Sequence, residues 1–194
     1  MTATTNESSR ARVFNVPNQI TAARLVLALV DFVLTPLGHY AAALVVFLLA
    51  ASTDWMDGYW ARRYGQVTKL GRVCDPFVDK IIICGMFIFL AGVPGSGIQA
   101  WMAVLVVARE LLVTTLRTFI EQSGGDFSAK SSGKWKMFFQ CVAVVASLLT
   151  LACGGLSAPA GLLWGLWISV GVAVLSTIQS GIAYVAAAGK ALLD

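Results

Sequence analysis

Six stretches of mostly hydrophobic residues follow one another along the chain, separated by short polar connections. A helix needs roughly 20 apolar residues to cross the hydrocarbon core of a bilayer, and each stretch is close to that length. The pattern therefore predicts an all-α integral membrane protein: six transmembrane helices in one membrane domain, residues 15–194, after a disordered cytoplasmic tail, residues 1–14. The predicted spans are residues 20–37, 40–60, 77–93, 98–120, 135–153 and 162–188.

The composition also indicates a membrane protein. Of the 194 residues, 58% are hydrophobic and only 12% are charged, which is unusual for a water-soluble domain. The polar N-terminal tail contains no apolar core, so we expect no cleavable signal peptide. The expected surroundings are a lipid bilayer. Nucleic acid is not expected as a partner, because the basic residues are explained by a membrane protein.

Basic residues alternate between the connections. The connections after the first, third and fifth stretches contain no Lys or Arg, whereas the other two connections and both chain ends are basic. Because Lys and Arg concentrate on the cytoplasmic side of a membrane, both termini and the basic connections are predicted to be cytoplasmic, in a multi-pass protein of the inner membrane. The residues concerned are Arg10, Arg12, Arg62, Arg63, Lys69, Arg72, Lys130, Lys134, Lys136 and Lys190.

Four aspartates lie at the ends of two hydrophobic stretches. Asp54 and Asp57 are three positions apart and Asp75 and Asp79 are four apart, so each pair lines one face of a helix. Unpaired carboxylates near hydrocarbon are costly and usually functional. Together they predict a cage for hard divalent cations, Mg²⁺ or Mn²⁺. Zinc and copper are not expected, because no histidine and only one cysteine, Cys74, lie near the four aspartates in the sequence.

These acids belong to a longer pattern of residues. It resembles the signature of the CDP-alcohol phosphotransferases, and the resemblance implies a membrane enzyme that moves a phosphatidyl group from CDP-diacylglycerol to an alcohol and releases CMP. It further implies a homodimer, two divalent cations held by the four aspartates, and Asp79 as the general base. The matching residues are Asp54, Asp57, Gly58, Ala61, Arg62, Gly71, Asp75 and Asp79.

The same resemblance implies a pocket for CDP-diacylglycerol. Gly58 and Ala61 could instead be small residues for close helix packing, and Arg62 could serve topology alone. The implied pocket residues are Asn18, Thr21, Asp57, Gly58, Ala61, Arg62, Thr68 and Gly71.

Three further blocks bear on which alcohol is used. Residues 15–24 resemble a branch of the family that includes the enzymes making phosphatidylglycerol phosphate and the related cardiolipin synthases, and residues 108–117 and 133–140 resemble more narrowly the enzymes that make phosphatidylglycerol phosphate. The acceptor of these enzymes, glycerol 3-phosphate, is a small dianion whose site needs cations, and arginine matches a phosphate with a planar fork. The expected ligands of the acceptor phosphate are Arg109, Lys134, Arg24, Arg117 and Lys136.

Arg109 is the most informative of these cations, because it lies among apolar residues where a charge is costly without a partner. Its neighbour Glu110 points to a different side of the helix, so an ion pair between the two is not expected. Lys134 and Lys136 could instead extend to the membrane surface.

Alternatives stay open at two levels. Met137 replaces the Thr usual in the enzymes that make phosphatidylglycerol phosphate, so the acceptor could be phosphatidylglycerol, inositol phosphate or serine. A divalent-cation transporter could also use four intramembrane aspartates, but transporters place such charges near the bilayer midplane. Asp54 is only roughly 12 Å along a helix from Arg62, which is predicted to be cytoplasmic. The aspartates are therefore predicted to open to the cytoplasm, which favours an enzyme. Asp31, inside the first stretch, has no assigned role; it could face a water-filled interior or pair with an arginine.

Overall fold

The computed structural model describes residues 16–64, 69–122 and 132–193, with side chains at 19–53, 74–120 and 135–189. Within these residues the regular secondary structure is all helical. The predicted all-α fold with six helices is confirmed. The predicted tail, residues 1–14, lies outside the described residues. The helices are α1 (Val16–Leu34), α2 (Tyr40–Tyr64), α3 (Lys69–Ala91), α4 (Ala100–Gln122), α5 (Ser132–Ala152) and α6 (Ala160–Leu193).

Each hydrophobic stretch corresponds to one helix, but the helices extend into polar sequence. The clearest case is α3, which begins at Lys69 rather than at residue 77 and so includes Asp75 and Pro76 ahead of Asp79. Hydrophobicity marks only the apolar part of a helix, whereas backbone hydrogen bonding continues through polar residues whose side chains find partners. The two acids are therefore helical, as their spacing predicts.

Two of the described helices are long and apolar enough to cross a membrane by length and composition: Trp135–Ala152 within α5 and Ala160–Gly189 within α6. A shorter apolar run, Tyr40–Thr53, lies in α2. The helices α1, α3 and α4 contain charged residues, which lower their hydropathy. Arg24 of α1 and Arg109 of α4 are buried in the protein, so these charges do not face lipid.

The described residues form two compact units, which meet along the chain between Gly85 and Met86. In the first unit, α1 and α2 pack against each other. The turn between them contains Pro36, which lacks a backbone N–H, and Gly38 at φ 80°, a left-handed conformation that glycine adopts at helix ends. Ala28 of α1 and Phe47 of α2 are fully buried in this unit.

The helices α1 and α3 run parallel in the first unit. Thr21 contacts Asp75 and Arg24 contacts Asp79, at chain separations of 54 and 55 residues. Further along, a Cβ added at Gly85 would overlap the ring of Phe32. Since contacts occur in the same order along both helices, the register is continuous, and the close approach requires glycine at position 85.

In the second unit, α6 packs against both α4 and α5. Its core contains large apolar side chains such as Val106, Leu148 and Leu166. Buried polar groups link its elements: Gln140 Nε2 donates to Thr177 Oγ1 at 3.0 Å, and Ser147 Oγ donates to the Ser96 carbonyl at 2.7 Å. Such hydrogen bonds between helices stabilise packing where apolar surface alone favours lipid and protein about equally.

Candidate active site

Two aspartates of α3 receive hydrogen bonds from α1. The Thr21 hydroxyl donates to Asp75 Oδ1, and Arg24 Nη2 donates to Asp79 Oδ1 at 2.5 Å. Thr21 and Arg24 are buried, whereas Asp79 keeps 23% of its side chain exposed. Because the two donors and the two acids both repeat at one-turn spacing, the parallel register of α1 and α3 positions both carboxylates at once.

The other two signature aspartates lie on α2. Positions 54 and 57 are helical at the predicted spacing, but their side chains are outside the described set. Among the described side chains, no group of three or more acids, histidines or cysteines could hold a metal ion. The predicted four-aspartate cage thus stays a prediction. The structure describes the side chains of its α3 half, Asp75 and Asp79.

The α3 half fits a divalent cation in its chemistry. Asp75 and Asp79 supply hard carboxylate oxygens, the ligand type that Mg²⁺ and Mn²⁺ prefer. Both side chains are half-buried, so they are partly accessible to water and ions. A hydroxyl and a guanidinium already orient them, which is how hydrogen bonds around a metal site fix its ligands.

Most residues predicted for the CDP-diacylglycerol pocket cannot be placed at the level of side chains. Thr21 is the one whose side chain is described, and it contacts Asp75. This contact links a predicted pocket residue to a predicted metal ligand. The remaining pocket residues fall outside the described side chains: Asn18, Asp57, Gly58, Ala61, Arg62, Thr68 and Gly71.

The predicted acceptor cations are divided between the two units. Arg24, predicted to bind the acceptor phosphate, contacts Asp79 in the first unit. In the second unit, Arg109 and Lys136 are buried and contact the same oxygen, Glu110 Oε1. Arg117 is half-buried, with its Nε atom buried and without a hydrogen-bond acceptor among the described residues. Lys134 lies outside the described side chains.

The sequence-based expectation for Glu110 was wrong. Arg109 Nη1 donates to Glu110 Oε1 at 2.9 Å, although adjacent helical residues point about 100° apart. Both side chains are long enough to bend toward each other, and burial makes an unpaired charge costly. Burial therefore favours the pairing that helical geometry alone argues against.

Helix α6 supplies contacts to Arg109 that the sequence analysis missed. Arg109 Nη2 donates to Ser180 Oγ at 2.5 Å, and the guanidinium carbon lies 5.4 Å from the centre of the Tyr184 ring. Ser180 and Tyr184 are four residues apart and so share one helix face. The spacing of Ser180 and Tyr184 is visible in the sequence. Their contact with Arg109 could not be predicted from it, because neither residue is charged and the sequence does not show which helix they face.

The chain matches the family model described as CDP-alcohol phosphatidyltransferase over residues 14–179. The match covers all four aspartates and also Arg24, Arg109 and Lys136. The chain belongs to the CDP-alcohol phosphatidyltransferase family. It is accordingly a membrane-embedded transferase with six helices, as its signature residues predicted.

Curated relatives of this family member carry consistent names. It is 37% identical over 188 residues to a "Probable phosphatidylglycerophosphate synthase" of Mycobacterium tuberculosis, covering 93% of this chain and 85% of the relative. It is 35% identical over 153 residues (71% and 78%) to the "CDP-diacylglycerol--glycerol-3-phosphate 3-phosphatidyltransferase" of Bacillus subtilis, and 31% identical over 195 residues (93% and 98%) to the Escherichia coli K12 protein of the same name.

Proposed function

We propose that this family member transfers the phosphatidyl group of CDP-diacylglycerol to glycerol 3-phosphate, forming phosphatidylglycerol phosphate and CMP. The choice of substrates is supported by the names of relatives that align over most of the chain. The structural observation that carries the catalytic part is the pair of signature carboxylates on α3, each held by a donor from α1.

The four aspartates Asp54, Asp57, Asp75 and Asp79 would hold two divalent cations, Mg²⁺ or Mn²⁺. When bound, such cations neutralise the diphosphate oxygens and stabilise the negative charge of the departing CMP. Carboxylates alone would repel the diphosphate, so this chemistry explains why a lipid diphosphate is bound beside four acids.

Asp79 is proposed as the general base. Its carboxylate takes the proton of an acceptor hydroxyl while the hydroxyl oxygen forms a bond to the phosphatidyl phosphorus and the bond from that phosphorus to CMP breaks. Arg24 contacts Asp79 Oδ1 and so fixes the orientation of the carboxylate. Thr21 does the same for Asp75, which is proposed to remain a ligand throughout.

Acceptor binding is assigned to the basic residues of α4 and α5. Arg109, Arg117, Lys134 and Lys136 supply positive charge for a phosphate monoester, with arginine acting as a two-pronged donor. Arg24 belongs to the predicted set as well, although its contact in the structure is to Asp79. An acceptor without a phosphate monoester, such as serine, would leave these cations without the dianion they suit.

The topology follows the distribution of Lys and Arg. We infer a multi-pass protein of the inner membrane with both termini and the active site on the cytoplasmic side, where glycerol 3-phosphate is dissolved and CMP is released. The acyl chains of the lipid substrate would stay in the bilayer while its CDP head enters the site. A homodimer is inferred from the family resemblance.

The test is CMP release by detergent-purified protein supplied with CDP-diacylglycerol and a divalent cation. Glycerol 3-phosphate should support release, and inositol phosphate, serine and phosphatidylglycerol should not. A chelator should abolish release, and added Mg²⁺ or Mn²⁺ should restore it. Release with a different acceptor would contradict the proposed substrate, and metal flux into vesicles without CMP release would favour a transporter.

A further inference from the structure

The Arg109 guanidinium is restrained from three directions. Its two terminal nitrogens donate to Glu110 and Ser180, and the Tyr184 ring lies within cation–π distance. Only 8% of the residue is exposed. A long side chain held in this way has little rotamer freedom, so the direction of its Nε–H donor is fixed by the protein.

One turn of α6 provides most of these restraints. Ser180 and Tyr184 lie on the same face, and a Cβ added at Gly181 would lie 3.6 Å from Arg109 Cγ. The backbone of α6 therefore passes beside the aliphatic part of Arg109, while its flanking side chains contact the guanidinium. This set of Ser180, Gly181 and Tyr184 forms a cradle for a single cation.

The Nε–H donor of Arg109 is unused within this cradle. The Nε–H group is buried and has no acceptor among the described residues. Buried donors are nearly always paired, and an unpaired one destabilises the folded state. The Nε edge of a guanidinium presents two parallel N–H groups that match two oxygens of a phosphate, so an anionic ligand at this edge would satisfy the donor.

We propose that Ser180, Tyr184 and Glu110 are positioning residues that hold the Nε edge of Arg109 toward the phosphate of the acceptor substrate. The inference rests on the proposed function, in which Arg109 binds glycerol 3-phosphate. The three residues act through Arg109 and do not touch the substrate. A phosphate of the CDP-lipid has the same chemistry, so the test separates the two sources.

The test compares apparent affinities for the two substrates in four variants. Ser180→Ala and Tyr184→Leu should each raise the KM for glycerol 3-phosphate about tenfold, the order of effect expected for an interaction with a charged group, and leave the KM for CDP-diacylglycerol unchanged. Tyr184→Phe keeps the ring face and should resemble wild type. Ser176→Ala is the matched control, because the Ser176 hydroxyl donates to the Ala173 carbonyl of its own helix.

Ligand-dependent unfolding gives a second readout that needs no turnover. Glycerol 3-phosphate, compared with glycerol, should raise the thermal midpoint of wild type and Ser176→Ala. The same shift should be clearly smaller in Ser180→Ala. This measurement also shows whether each variant is folded before substrate is added.

The outcomes are distinguishable. An unchanged KM for glycerol 3-phosphate in folded Ser180→Ala and Tyr184→Leu would overturn the inference and leave the proposed function intact. A rise confined to the KM for CDP-diacylglycerol would overturn it as well, since Arg109 would then face a lipid phosphate. A wild-type protein that does not use glycerol 3-phosphate contradicts the proposed function before any variant is compared, and the inference falls with it.

Discussion

The two polar clusters differ in the charge they present and in how open they are. On α3, Asp75 and Asp79 are half-buried acids, each with its own donor from α1. On α4 and α5, Arg109 and Lys136 are buried cations that share one acid, Glu110. The first cluster is accessible to ions from water, whereas the cations of the second, proposed to bind the acceptor phosphate, are already restrained by an acid of the protein.

This difference suggests a division of labour. Ligands of an exchangeable cation need access to solvent, because Mg²⁺ gives up its water slowly and usually keeps some of it. A binding site for a small dianion gains selectivity when its cations are already restrained and desolvated, since less ordering is required on binding. Substitutions at Asp79, Arg24, Lys136 and Lys134 test whether the clusters divide in this way, and a substitution at Asp31 tests a buried acid outside both clusters.

The largest effect is expected at Asp79. Asp79→Asn removes the proposed base but keeps a side chain of similar size, so turnover should fall by roughly 10²- to 10⁴-fold. The protein should remain folded and should still bind CDP-diacylglycerol, measured by its protection against thermal unfolding. Near-normal CMP release would remove Asp79 from the role of base.

The Arg24–Asp79 pair should contribute to stability as well as to orientation. Arg24→Ala leaves an acid without its cation and should lower the free energy of unfolding by about 2 kcal/mol, less than for a fully buried pair because Asp79 is partly exposed. In a double-mutant cycle, Asp79→Ala on the Arg24→Ala background should cost less than on wild type. Strict additivity in denaturant titrations would show that the pair contributes nothing.

Lys134 and Lys136 provide a comparison within one helix turn. Lys136 is buried against Glu110, so Lys136→Ala should raise the KM for glycerol 3-phosphate and also lower the free energy of unfolding by about 2 kcal/mol. Lys134→Ala should raise the same KM with a smaller loss of stability. If both variants changed only the KM for CDP-diacylglycerol, the assigned acceptor site would be misplaced.

The smallest effect is expected at Asp31. This residue is 2% exposed, and its Oδ1 atom has no hydrogen-bond partner among the described residues. Replacing a buried, incompletely paired acid by an apolar residue of similar volume is often neutral or stabilising, so Asp31→Leu should keep turnover within about twofold of wild type and raise the thermal midpoint. A loss of turnover without unfolding would instead assign Asp31 a functional role.

Sequence patterns predicted the number of helices and the helical placement of the signature acids, because both depend on local periodicity. The partners of those acids depend on packing. Arg24 was expected to bind the acceptor phosphate, yet the parallel register of α1 and α3 brings it to Asp79. Register between helices is set by side-chain fit along their whole length, such as Phe32 against Gly85, and no single helix encodes it.

The second cluster shows the opposite limit. Arg109 was correctly expected to be a costly charge in an apolar helix, but its contacts were not found. Ser180 and Tyr184 are common residues in membrane helices and so did not indicate a contact with Arg109. An ion pair with Glu110 was not expected, because adjacent residues point to different sides of a helix. Rules for isolated helices omit the free energy of burying a charge. For the buried Arg109, this free energy favours the contact with its sequence neighbour Glu110 and the contact with Ser180 of another helix.

The parallel register of α1 and α3 also bears on how the chain enters the membrane. A ribosome makes Arg24 well before Asp79, so the cation of the pair is present when the helix with the acids reaches the translocation machinery. An acid inserted beside a waiting cation avoids much of the cost of a lone charge in lipid. The order of synthesis thus makes the cation available before the acid is inserted. A circularly permuted gene that makes α3 first would reverse this order.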